Sequence, residues 1–248
     1  MLEKIKAVVL AAGKGTRLQT ENNELPKVMR NARGKPLLWY VLDGISFIDK
    51  SEIIIVVGYM KEAVTDYFSE YIFAEQYEQL GTGHAVKAAK DLLVDFNGAV
   101  LVCCGDMPAI KGETYESFVK AHFDQGNVCT ILTGESSIQL SYGRIVRDDK
   151  NGFVEIVEDK DCSEEQKKIT ELNSGVYIFD CQKMLLALEK LENNNNQKEY
   201  YLTDVPAILK NSGEQVGLYK RDLGDEIVGV NTLEQLEQVE KIIEGREK

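Results

Sequence analysis

A chain of 248 residues suits one large α/β domain or two small ones and can bury a substantial core. Its hydrophobic fraction of 44% and charged fraction of 28% are ordinary for a globular protein. A net charge of -12 argues against nucleic acid as a partner, because phosphate backbones are bound by basic surfaces, and a small polyanionic substrate would need a local basic site or a divalent cation.

The apolar run at the N-terminus is too short for a signal peptide's apolar region and cleavage site, or for a membrane span, so no membrane partner is expected. The five cysteines are scattered and show neither a Cys-x-x-Cys pair nor a disulfide framework, which makes a reducing cytoplasm the simplest compartment. His84 and His122 are far apart in sequence, so a histidine metal site is not expected.

Ile5 to Leu10 reads as a short buried strand that runs into Leu10-Ala11-Ala12-Gly13-Lys14-Gly15-Thr16-Arg17-Leu18. Glycines there let the backbone approach a ligand and turn successive N–H groups towards phosphate oxygens. Lys14, Arg17 and Lys27 add positive charge suited to a polyphosphate and to the charge that develops during phosphoryl or nucleotidyl transfer. The loop is neither a full dinucleotide fingerprint, which needs a third glycine, nor a P-loop, which needs Gly-Lys-Ser/Thr.

Pro36 opens an expected helix through Trp39, Tyr40, Val41 and Ile45. Ile53 to Val57 is a second buried strand, and Lys61 to Phe68 reads as helical. This alternation predicts a doubly wound α/β fold with a parallel sheet, whose ligands bind at the carboxyl ends of strands.

In Gln76-Tyr77-Glu78-Gln79-Leu80-Gly81-Thr82-Gly83-His84-Ala85, glycines allow close approach to a base or ribose. The amides of Gln76 and Gln79 offer both donor and acceptor, which matches the imide edge of uracil. An amide can also be flipped to present the opposite pattern, so cytosine stays open. A helix is expected from Ala85 to Leu93. Val100 to Cys104 is a further strand ending in Gly105-Asp106, where a carboxylate could hold a hard cation.

The second half changes character. Val128 to Leu132, Arg144 to Arg147, Phe153 to Val157 and Gly175 to Phe179 read as strands joined by turns such as Asp148 to Gly152. They predict a mixed, partly antiparallel extension covering one side of the first sheet. Asn193 to Asn196 reads as a surface loop and Glu199 to Asp204 as the start of an amphipathic segment. Thr232 should cap a final helix from Leu233 to Ile243. No internal repeat is apparent.

Taken together, Leu10 to Arg17, Pro26-Lys27-Val28, Gln79 to Ala85, Gly105-Asp106, Tyr142 to Ile145, Ile156 to Asp159, Asn173 to Val176, Glu199 to Asp204 and Gly229 to Asn231 resemble the bacterial N-acetylglucosamine-1-phosphate uridylyltransferases. The resemblance is to the pyrophosphorylase domain of the bifunctional enzyme, within the sugar nucleotidyltransferases. It implies a Rossmann-like mixed sheet with a nucleotide-binding part over about 1–110, a sugar-binding part over about 111–231 and a C-terminal helix over 232–248. It implies that Leu10, Ala11, Ala12, Gly13 and Lys14 line the nucleotide, and that Arg17 and Lys27 hold the triphosphate and the leaving pyrophosphate. Gln76 and Gly81 would read uracil, with Gln79 also at the nucleotide and Thr82 near nucleotide and sugar. Asp106 and Asn231 would bind one Mg²⁺, the implied cofactor. Gly143, Glu158, Asn173 and Thr203 would surround an N-acetylated sugar. The substrates implied are UTP and a sugar 1-phosphate, and assembly as a homo-oligomer is left open.

Three departures from the family pattern stand out. Cys104 replaces a usual tyrosine before Gly105-Asp106. The stretch from Thr20 to Glu24 is about three residues longer than usual. The family's hexapeptide-repeat acetyltransferase half has no counterpart in these 248 residues, so acetyl transfer is not expected of them.

Overall fold

The computed structural model describes residues 4–15, 18, 25–135 and 140–246. Arg17 and the 20–24 stretch lie outside the described residues.

The fold is built around strand β1 (Ile5–Leu10). Its side chains alternate between two packed faces: Ala7 and Val9 join one apolar cluster and Val8 the other, each fully buried. A strand buried on both faces needs the unbroken apolar run seen in the sequence. A hairpin of β2 (Asn31–Ala32) and β3 (Lys35–Pro36) follows, then α1 (Leu37–Gly44), β4 (Ile53–Val57), α2 (Lys61–Thr65) and β5 (Ile72–Glu75). The chain continues through α3 (Thr82–Ala88), β6 (Ala99–Cys104), α4 (Gly112–Gln125) and β7 (Cys129–Glu135). Beyond it come β8 (Arg144–Arg147), β9 (Phe153–Val157), β10 (Glu171–Asp180), α5 (Cys181–Leu188), α6 (Val205–Asn211), β11 (Val216–Arg221) and α7 (Leu233–Arg246).

The main sheet runs β11-β7-β10-β6-β1-β4-β5. β1 pairs in parallel with β4 on one side and with β6 on the other, and β4 with β5. Helices α1, α2 and α4 supply Leu38, Val64 and Phe118 to one face, whereas α3, α5 and α6 supply Val86, Met184 and Leu209 to the opposite face. The expected doubly wound α/β fold with a mixed sheet is therefore the fold observed. Because successive strands leave β1 in opposite directions, the carboxyl end of β1 is the topological switch point.

β10 is antiparallel to both of its main-sheet neighbours, β6 and β7, and β7 pairs in parallel with β11. The partly antiparallel extension thus continues the first sheet edge to edge. Only the β8–β9 hairpin lies off this path, attached to β10 at Leu172 opposite Arg144. The register of β10 against β7 shifts between Asn173 and Val176, which separates its polar first half from the apolar second half.

Several expected elements have different bounds. The α2 helix stops at Thr65, and the helix expected from Ala85 starts at Thr82 and ends at Ala88, followed by a short 3-10 turn over Lys90–Leu92. The final helix extends to Arg246. It packs through Val239 and Ile243 on a small cluster with Leu37, Val228 and Val230.

Candidate active site

The loop leaving β1 and the turn leaving β6 meet at the switch point. Gly105 N–H donates to Leu10 O at 2.9 Å, and Val230 N–H donates to Asp106 O at 2.9 Å. Two backbone bonds therefore bring three distant segments to one place. Tyr142 reinforces the third segment, since its hydroxyl donates to Ile227 O at 3.0 Å and accepts from Gly229 N–H at 2.7 Å. Burial pushes the Tyr142 hydroxyl pKa up, so it stays protonated and able to donate.

Asn231 itself is held by the start of α7. Gln235 Oε1 accepts from Asn231 N–H at 2.7 Å and Thr232 N–H at 3.1 Å, while Thr232 Oγ1 accepts from Gln235 N–H at 3.3 Å. This is a capping box whose glutamine also fixes the backbone before the helix. Thr232 was legible as a cap, but its partner three residues on and the restraint on Asn231 were not drawn from the sequence.

Lys27 joins these segments chemically. Its Nζ donates to Asp106 Oδ2 and, at 2.6 Å, to Asn231 Oδ1. Gly15 allows the approach: its φ is +62°, and a Cβ there would lie 2.4 Å from Lys27 Cβ.

A cavity of about 370 Å³ opens beside this cluster. Of the residues expected at the nucleotide, Leu10, Ala12, Gly13, Gln76, Gln79, Gly81 and Thr82 line it, together with Lys27, Asp106 and Asn231. Ala11 is only 1% exposed and belongs to the apolar core, and neither it nor Lys14, whose side chain is exposed, lines the cavity. Glu199 lines it as well, a position the sequence reading had not assigned to the site.

The wall carrying Gln76 is clamped by the segment around Tyr200. Tyr200 N–H donates to Leu80 O at 2.8 Å, and Gly83 N–H donates to Tyr200 O at 2.8 Å. Leu202 N–H donates to Thr82 Oγ1 at 3.0 Å. Gly81 makes this possible, because its φ is +115° and an added Cβ would sit 2.5 Å from Tyr200 O. The two motifs from Gln79 to Ala85 and Glu199 to Asp204 are thus one hydrogen-bonded unit. Inside it, Gln76 is 4% exposed, and its Nε2 donates to Gly81 O at 3.1 Å and lies 3.1 Å from His84 Nδ1.

A second, smaller cavity of about 200 Å³ shares Cys104, Asp106 and Asn231 with the first. Gly143, Glu158 and Asn173 line it. Asn173 N–H donates to Gly143 O at 2.9 Å, and Asn173 Nδ2 donates to Tyr177 Oη at 2.7 Å. Thr203 does not line this cavity; its hydroxyl donates to Glu158 Oε1 at 3.0 Å. Burial raises the Glu158 carboxyl pKa, opposed by that hydrogen bond and reinforced by Asp204 and Asp161. At Cys104, burial pushes the thiol pKa well up and the Asp106 carboxylate adds to it, so a neutral thiol stands between the cavities.

The nucleotidyl transferase family model matches residues 6–225. The chain belongs to the nucleotidyl transferase family. It is 41% identical over 241 residues, 97% of its length, to the bifunctional protein GlmU of Streptococcus agalactiae serotype V, covering 52% of that protein. It is 42% identical over 241 residues to GlmU of Lactococcus lactis subsp. lactis, with 97% and 52% of the two chains covered. To GlmU of Caldanaerobacter subterraneus subsp. tengcongensis it is 39% identical over 246 residues, covering 99% of this chain and 53% of that one. The chain spans about half the length of these curated relatives. A solved structure of a Bacillus anthracis protein, provisionally assigned as a glucose-1-phosphate thymidylyltransferase and complexed with sucrose, superposes with a TM-score of 0.73 at 17% identity. The match covers 96% of this chain and 95% of that one, and it supports the fold.

The resemblance read from the motifs is thus borne out, and the chain is a nucleotidyltransferase. Among the described residues, no helix is long and apolar enough to cross a membrane.

Proposed function

We propose that this chain transfers a uridylyl group from UTP to an N-acetylhexosamine 1-phosphate, N-acetylglucosamine 1-phosphate first among them. A phosphate oxygen of the sugar 1-phosphate attacks the α-phosphorus of UTP, the bond to the β-phosphate breaks, and pyrophosphate leaves with the electron pair. The observation that carries this reading is the pair of cavities that meet at Asp106 and Asn231, one walled by Gln76 and Gly81 and the other by Glu158 and Asn173. Two reactants held on either side of one reacting centre meet the main requirement of a direct transfer, which is position.

The preference for uracil follows from Gln76. A carbonyl such as Gly81 O only accepts, so the amide atom beside it is Nε2 and the flipped alternative is disfavoured. Oε1 is then the amide atom left for the base. Uracil offers an N3–H to such an acceptor, whereas cytosine offers a lone pair and would leave both acceptors facing each other.

The residues around Lys27 suit a magnesium ion. Asp106 Oδ2 and Asn231 Oδ1 already accept from one ammonium, so two hard oxygen donors converge on a point where a cation is stabilised. Substrate phosphate and water would supply its remaining oxygen ligands. When bound, the ion supplies charge neutralisation for the phosphates and the leaving pyrophosphate. Lys27, released from its two oxygens, would donate to a phosphate, and Arg17 would act on the same phosphates. Lys14 and the backbone of Leu10 to Gly13 would border the triphosphate, with Thr82 nearby.

On the acceptor side, Glu158 and Asn173 would bind hydroxyls and the acetamido group, with Gly143 lining the sugar and Thr203 orienting Glu158. Cys104 favours a second reading of the acceptor: a small thiol where the cavities join leaves room for a broader range of sugar 1-phosphates. The test is pyrophosphate release with UTP and CTP against N-acetylglucosamine, N-acetylgalactosamine and glucose 1-phosphates. The highest kcat/KM should fall to UTP with an acetamido sugar. A glucose 1-phosphate value at or above the acetamido values would overturn the acceptor assignment, and no release with any pair would overturn the activity.

A further inference from the structure

We propose that His84 is the specificity-determining residue behind base choice, acting through Gln76. This rests on the assignment of Gln76 to the nucleobase made above. An amide nitrogen carries two hydrogens. One goes to Gly81 O at 3.1 Å, and the second points the amide at His84 Nδ1, also at 3.1 Å. Since Nε2 can only donate, Nδ1 must accept, so the proton of the neutral imidazole sits on Nε2 of the ring. The imidazole is thereby the second of two fixed acceptors that commit the donors of Gln76 to the protein. Nothing but the carbonyl oxygen of that amide is then left for a base.

The arrangement is rigid because of where His84 stands. It lies in the first turn of α3, directly after the segment clamped by Gly83 N–H, which donates to Tyr200 O, and by Thr82 Oγ1, which accepts from Leu202 N–H. Gln76 is equally constrained, since its N–H continues the ladder at the end of β5 by donating to Val57 O at 2.8 Å. Gln76 lines the nucleotide cavity, while His84 lines a separate outer groove with Tyr200 and Lys87. His84 therefore tunes the base site from behind, without touching the substrate.

With Gly81 O as the one remaining acceptor the amide is held by a single bond, so swinging or flipping to offer an N–H to the base edge, the pattern cytosine matches, costs less than in the native protein. Replacing His84 should therefore lower discrimination, and lower it through UTP. The comparison is kcat/KM for UTP and CTP, with the sugar 1-phosphate and metal held constant, in the native protein and in His84→Phe, His84→Ala and His84→Asn. His84→Phe and His84→Ala should cut the UTP-to-CTP ratio about tenfold, as expected for one lost neutral hydrogen bond, mainly by raising the KM for UTP. His84→Asn places an acceptor oxygen near the position of Nδ1 and should bring the ratio back to within a few-fold of native. The KM for the sugar 1-phosphate should stay unchanged in all three.

Thermal melts show whether His84→Phe is folded, and His84→Ala, which adds no bulk, tests the same loss independently. A native ratio retained in His84→Ala, with both nucleotides slowed equally, would overturn the role of His84 while leaving Gln76 at the base. A native protein that uses UTP and CTP equally would instead overturn the assignment of Gln76, and the present inference with it.

Discussion

Lys27 Nζ donates to Asn231 Oδ1 at 2.6 Å, although 204 residues separate the two in the chain. The lysine therefore stands where the proposed magnesium would meet its protein oxygens. Lys27→Ala should lower both kcat and kcat/KM, because a group that acts on phosphate in the transition state cannot be replaced by tighter ground-state binding. The same variant should bind Mn²⁺ more tightly than the native protein in the absence of nucleotide, read by electron paramagnetic resonance. A change confined to the KM for UTP would make the lysine a binding group only.

Asp106→Ala removes the charged member of the oxygen pair. Turnover should fall by about two orders of magnitude or more, consistent with losing a main electrostatic stabiliser. Near-native turnover that still required magnesium would take Asp106 out of the metal site.

Gln235→Ala should weaken the site without touching it. Breaking the capping box costs about 1 kcal/mol of helix stability and frees the backbone of Asn231. The magnesium concentration for half-maximal rate should rise several-fold, with the KM for the sugar 1-phosphate unchanged. A lower melting temperature with native magnesium dependence would confine Gln235 to the fold.

Glu158→Gln tests the acceptor cavity. It keeps the shape and an oxygen for Thr203 but removes the charge. The kcat/KM for the sugar 1-phosphate should drop at least tenfold while the KM for UTP holds, since a site built on hydrogen bonds to hydroxyls penalises a lost acceptor. Equal loss for both substrates would place Glu158 outside the sugar site.

His122 gives the pH dependence of stability a definite sign. Burial lowers its pKa from 6.5 to about 4, with its Nδ1 held 2.8 Å from Thr130 Oγ1. Between those values the unfolded chain binds the proton and the folded one does not, so stability rises with pH across the window. The contribution is fully present above pH 6.5 and lost as pH falls towards 4. Asp204, whose pKa burial raises to about 6, acts in the opposite direction, losing its contribution as pH rises from 3.8. His122→Gln leaves Asp204 in place, so denaturant melts from pH 4 to 7 should show a shallower acid limb in the variant. Parallel curves for the two proteins would remove His122 from the account.

What could be read from the residues followed from how uniformly each element is buried. β1 and β4 are apolar nearly throughout because both faces are covered, and the last helix announces itself through Thr232 and its apolar spacing. Expectation stopped short at β10, where Asn173 and Ser174 turn inward to hold Tyr177 and Leu132 O, so the first half of a buried strand looks polar. β11 was missed because its residues are mostly half-buried, at the outer edge of the sheet. α4 presents charged residues to solvent around Tyr115 and Phe118 and has Gly112 at its start, which obscured its period. At the site, motif residues were legible one at a time. The pairings of Gln235 with Asn231 and of His84 with Gln76 were not, because they are relations between segments that only the folded backbone brings together.

The reversed position of β10 also dictates an order of assembly during synthesis. β5, β4, β1 and β6 can pair once residue 104 has been made, yet β7, though translated next, has no place beside β6. The slot between them belongs to β10, which begins only at Glu171. Until then the nascent protein carries a first half of the sheet with an open strand edge, the kind of edge that recruits other chains. A ribosome stalled between β7 and β10 would therefore release a product prone to aggregation, and one stalled after Asp180 a product whose β6 edge is closed.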